Sequence, residues 1–127
     1  MLNRRSRPVF LNLLQIRFPV TAVASILHRI SGVLMFLFIP VSVYFLGKSL
    51  QSNQHFQETL AQLGTPIGRA VLILMAWALL HHLFAGIRYF LIDLEWVISR
   101  RGANVSAWVV ISSAVVVVAL VALGVCA

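Results

Sequence analysis

The stretch Val105–Val125, VSAWVVISSAVVVVALVALGV, contains no charged residue. A hydrocarbon core about 30 Å thick takes about 20 apolar residues to cross as a helix. Its many valines would favour a strand in a soluble protein, but an unbroken apolar run of this length reads as a helix in lipid. Trp108, near its start, suits an interfacial anchor. Working back along the chain, two more runs are long enough: Val20–Leu46, uncharged from Ile30 onward, and Ile67–Ile92. Pro40 falls inside the first, where membrane helices tolerate proline. The fold class is therefore an all-α membrane protein with three transmembrane helices, over about residues 20–46, 67–92 and 105–125. Residues 1–19 form an N-terminal arm, and residues 20–127 a single transmembrane domain.

Composition supports the bilayer as solvent. Of 127 residues, 61% are hydrophobic and only 10% charged, whereas a soluble domain carries about 25% charged residues. The net charge is +7, from 10 Lys and Arg against 3 Asp and Glu. In a soluble chain this would suggest nucleic acid as a partner. Here the cations sit mainly at the ends of apolar runs, where they set orientation, so nucleic acid is set aside. Arg4, Arg5, Arg7 and Arg17 precede the first span, and Arg88, Arg100 and Arg101 surround the second connection. The first connection has only Lys48 and Arg69 at its borders. The positive-inside rule predicts a cytoplasmic N-terminus and second connection, and a periplasmic C-terminus. The basic N-terminus has the charge of a signal peptide but no clear cleavage site, so it is expected to stay attached as an interfacial arm. Cys126 has no partner for an intrachain disulfide and reads as an inert apolar residue.

Ionisable residues inside a span are costly, about 2.5–3.5 kcal/mol for Arg on insertion scales, and so mark function. Ser25, His28, Arg29 and Gly32 recur at i, i+3, i+4 and i+7, which places them on one helical face. Such a stripe serves either as a polar seam against a neighbouring helix or as a ligand site. Arg29 lies ~12 Å beyond Thr21 along a helix, deep for snorkelling, which favours a ligand. In the second span, His81 and His82 are about 100° apart and cannot share a face. His81 is flanked by Trp77 and Phe84, and His82 by Ala78, Ala85 and Gly86, which leaves room for a flat macrocycle. A lone intramembrane histidine usually bonds a neighbouring helix; a neutral imidazole is also a good axial ligand for haem iron. His82 is ~9 Å from Arg88 along the helix, a depth similar to that of the first stripe. Arg29 and Arg88, with His28 as a further donor, suit haem propionates. Ser25 and Arg29 equally suit a quinone carbonyl oxygen. No second well-placed histidine remains for iron, so the other ligand of a six-coordinate haem would come from another chain.

The residues Arg7-Pro8-Val9, Ile16-Arg17-Phe18-Pro19-Val20-Thr21-Ala22 and Ser25-Ile26-Leu27-His28-Arg29-Ile30-Ser31-Gly32 closely resemble the cytochrome b membrane-anchor subunits of succinate dehydrogenase. His82-Leu83-Phe84-Ala85-Gly86-Ile87-Arg88, followed by Asp93, is similar to that family's H-x-x-x-G-x-R haem segment. The resemblance implies half of a two-subunit helical bundle, in complex with a flavoprotein, an iron–sulfur subunit and a second small membrane anchor. It implies succinate oxidation on the flavoprotein and electron passage to quinone in the respiratory chain and tricarboxylic acid cycle of a bacterial inner membrane. By motif position, His82 is the axial ligand of a b-type haem shared with the second anchor. Ser25 and Arg29 fall at the quinone site, and His28 and Arg29 near the haem propionates. Tyr89 departs from the pattern, since relatives often carry His there. Two other functions compete: a structural anchor without haem, and a channel or transporter subunit, for which three spans with one polar layer are too few.

Overall fold

A computed structural model describes residues 17–97 and 99–126. Most of the expected N-terminal arm, including Arg4, Arg5 and Arg7, lies outside the described residues, as does the side chain of Cys126. The described chain forms four helices: α1 (Val20–Ser49), α2 (Asn53–Leu63), α3 (Pro66–Asp93) and α4 (Arg100–Cys126). The three long ones are apolar and long enough to cross a membrane, as expected from the sequence.

Local chemistry sets the helix ends. Pro19, in an extended conformation, opens α1. Thr65 caps α3 by accepting from the Gly68 N–H at 3.1 Å, and Pro66 occupies the first turn, where its missing N–H costs nothing. The Ser99 hydroxyl accepts from the Gly102 N–H at 3.0 Å. This cap starts α4 at Arg100 rather than at Val105, because the helix continues past the apolar run into charged sequence.

The polar first connection is not only a loop. Ser52 caps α2 by accepting from the His55 N–H at 3.2 Å. The Gln54 amide donates to Glu58, one helical turn on, at 3.2 Å. Lys48 reaches across from the end of α1 to Glu58 at 3.2 Å. Hydrogen bonds from Lys48 and then Gln54 hold the exposed Glu58 carboxyl below its ordinary range.

The spans pack through small residues. The buried positions of the spans are Ala24 and Ser31 on α1, Ala78, His81, Ala85 and Arg88 on α3, and Ala107, Val110 and Ala114 on α4. Lipid is as apolar as leucine, so close backbone approach and polar contacts, not hydrophobic burial, join such helices. Large side chains such as Phe36, Leu37, Val116 and Leu123 point outward, as a lipid-facing surface requires. Arg88 is only 5% exposed. Its Nε donates to Ser106 Oγ at 3.0 Å and its Nη2 to the Ala103 carbonyl at 3.2 Å. It ties α3 to the first turns of α4.

Candidate functional site

The polar stripe of α1 meets α3 at His82. The His28 and His82 imidazoles stack, with centroids 4.2 Å apart and planes 20° from parallel. His82 Nδ1 lies 3.2 Å from the His28 carbonyl oxygen and 3.3 Å from Ser31 Oγ. The Ser31 hydroxyl itself donates to the same His28 carbonyl at 2.8 Å. One assignment satisfies all three contacts: a proton on Nδ1, shared between the carbonyl and the Ser31 oxygen. The lone pair is then on Nε2, which makes no hydrogen bond among the described residues. A bond at one ring nitrogen selects the tautomer in this way and leaves the other nitrogen as the ligand atom.

Gly32 permits the approach. A Cβ at this position would stand 3.0 Å from His82 Cε1 and 3.3 Å from Nδ1. We expect a Gly32→Val chain to displace the His82 ring and to lower bound haem severalfold. Pyridine haemochrome per assembled complex measures this, and an unchanged ratio refutes it.

The other candidates are distributed as follows. Ser25 is half-buried and Arg29 exposed on the same face of α1, and neither side chain makes a hydrogen bond among the described residues. Arg88 does not join the cluster, because its guanidinium is engaged on α4. His81 is 1% exposed and stacks on Trp77 at 5.5 Å. Its Nε2 is enclosed without a partner among the described residues. His81 and His82 thus separate as their flanking residues predict. One detail differs: Ala78 and Ala85 are fully enclosed in the helix seam and make room for a neighbouring helix. Only Gly86, with open space where a Cβ would be, leaves room outward.

One residue escaped the sequence reading of the site, and another, Tyr89, was noted there only as a departure from the family pattern. Ser31 lies within the motif, but its role depends on the α1–α3 contact. The Tyr89 ring lies 5.3 Å from that of His28, and its position seven residues after His82 returns it to the same face. No group of three or more His, Cys, Asp or Glu that could hold a bare metal ion occurs among the described residues. A macrocycle-bound iron asks only for one or two axial ligands.

Over residues 3–122 the sequence matches the family described as succinate dehydrogenase/fumarate reductase transmembrane subunit. The succinate dehydrogenase cytochrome b556 subunit of Coxiella burnetii is 41% identical over 107 residues, covering 82% of this chain and 84% of the relative. That of Rickettsia typhi is 32% identical over 92 residues, covering 72% of this chain and 71% of the relative. That of Paracoccus denitrificans is 29% identical over 118 residues, covering 93% and 91%. With the match spanning all three membrane helices, the chain belongs to the succinate dehydrogenase/fumarate reductase transmembrane subunit family.

Proposed function

We propose that this chain is the cytochrome b membrane anchor of a succinate dehydrogenase, holding a b-type haem at His82 and shaping a quinone site with Ser25 and Arg29. The observation that carries the reading is the seating of the His82 ring, with Nδ1 against the His28 carbonyl and the Ser31 hydroxyl of α1. With the proton on Nδ1 donated to α1, the Nε2 lone pair is left to serve as a ligand.

The residues fit the group. His82 would hold the haem iron through its free ring nitrogen, with a second small anchor subunit completing the site. When bound, the haem supplies a one-electron redox centre. His28 and Arg29 are placed to meet its propionates. Arg88 would have to give up two hydrogen bonds to α4 to join them. Ser25 and Arg29 donate to a quinone carbonyl oxygen, where negative charge builds up on reduction. Succinate is oxidised on a partner flavoprotein, and an iron–sulfur subunit delivers the electrons. The distribution of Arg residues supports a cytoplasmic N-terminus, with this polar layer on the cytoplasmic side of a bacterial inner membrane. The soluble subunits dock there.

A reduced-minus-oxidised spectrum of the co-purified complex, with its subunits identified, tests the whole reading. A b-type band together with a flavoprotein, an iron–sulfur protein and a second small anchor is the expected result. A complex without a haem band would instead be a structural anchor.

A further inference from the structure

Along the seam between α1 and α3, where Ala24, Ala78 and Ala85 are enclosed, Ser31 is 0% exposed. An alanine would pack there as well, so the hydroxyl calls for an explanation. It donates to the His28 carbonyl, three residues back, at 2.8 Å, a bond that serines in helices commonly make. That bond fixes the hydroxyl hydrogen on α1 and leaves the oxygen lone pairs free. His82 Nδ1 stands 3.3 Å from this oxygen and 3.2 Å from the same His28 carbonyl. Two oxygens of α1 thus bracket one ring nitrogen of α3.

The step from here rests on the function proposed above. An imidazole that binds iron through Nε2 keeps its proton on Nδ1, and a buried N–H needs an acceptor. The His28 carbonyl is only a partial one. In an α-helix it already accepts from the N–H four residues on, and it accepts from the Ser31 hydroxyl as well. The Ser31 oxygen accepts nothing else among the described residues, and its own donated bond makes it a better acceptor. Both contacts to Nδ1 are long for N–H···O bonds, as for one proton shared between two acceptors.

We propose that Ser31 is a positioning residue for the haem ligand: its hydroxyl, held on α1 by the His28 carbonyl, takes a share of the His82 Nδ1 proton and thereby lowers the reduction potential of the haem. A hydrogen bond given from Nδ1 makes the ligating nitrogen more basic. A more basic ligand favours ferric over ferrous iron, and hydrogen bonding around the ligands is one of the levers by which a protein sets haem potential. Such partners of a metal-bound histidine are worth about 10–100-fold in metal affinity. The carbonyl stays when the hydroxyl goes, so the lower end applies. About tenfold in the ferric-to-ferrous preference corresponds to about 59 mV for one electron.

The test is a redox titration of the haem band in the whole purified complex. Ser31→Ala should raise the midpoint potential by about 59 mV, while electron transfer from succinate to a soluble dye stays near wild type. Ser31→Cys replaces the hydroxyl by a weak sulfur acceptor and should shift the potential in the same direction. It decides the question if Ser31→Ala fails to assemble. Alanine is smaller than serine and cysteine larger, so a common shift belongs to the hydroxyl and not to packing. Ser31→Thr keeps a hydroxyl able to bond the carbonyl three residues back and should keep the wild-type potential. An unchanged or lowered potential in the alanine and cysteine variants overturns the proposal. So do opposite shifts in those two, or a threonine variant shifted as far as the alanine one. A wild-type complex with no haem band is a different result: it overturns the functional reading, and this proposal with it.

Discussion

A His82→Ala complex loses its b-type haem band while its spans still assemble. The imidazole is half-buried beside the open space at Gly86, so its removal leaves the enclosed seam of Ala24, Ser31, Ala78 and Ala85 in place. Disturbing even the partners of a metal-bound histidine costs about 10–100-fold in affinity, and removing the ligand itself should cost at least as much. His81→Ala is the informative companion. His81 is enclosed and stacked on Trp77, so its loss should lower thermal stability by creating a cavity and leave the haem spectrum unchanged. A normal spectrum in His82→Ala, or a selective loss of haem in His81→Ala, assigns the ligand wrongly.

The second large effect is expected at Ser25 and Arg29. Both side chains lack hydrogen-bond partners among the described residues, so little within the chain depends on them. Removing a donor aimed at developing oxyanion charge costs about 10²–10³ in turnover in well-studied enzymes. Arg29→Ala should approach that range in quinone reduction, with Ser25→Ala affected less because a neutral hydroxyl is the weaker donor. Electron transfer from succinate to a soluble dye, which bypasses the quinone, should stay near wild type. Parallel losses in both assays would mean faulty assembly instead.

Much of this architecture was legible in the sequence because membrane helices announce themselves by length and absence of charge. The limits of α4 were harder to read. Apolar residues end near Val105, yet the Ser99 cap starts the helix at Arg100. The short α2 was hidden because its stabilising contacts are polar: a serine cap, a Gln54–Glu58 bond and an ion pair reaching back to Lys48. At the site, periodicity gathered Ser25, His28, Arg29 and Gly32, and flanking residues separated His81 from His82. Periodicity within one helix cannot show what the next helix brings. Hence Ser31, whose hydroxyl bonds within its own helix and also meets His82 across the seam, went unassigned. Arg88 was read by charge as a partner for an anion, whereas its geometry is set by acceptors on α4.

The exposure of Arg29 has a consequence for the subunit outside its complex. A copy that inserts alone presents this guanidinium on a lipid-facing flank of α1, against a penalty of about 2.5–3.5 kcal/mol on insertion scales. That penalty is relieved only when other subunits cover the face. The residue proposed to serve the quinone thus also makes the orphaned chain less stable than the assembled one.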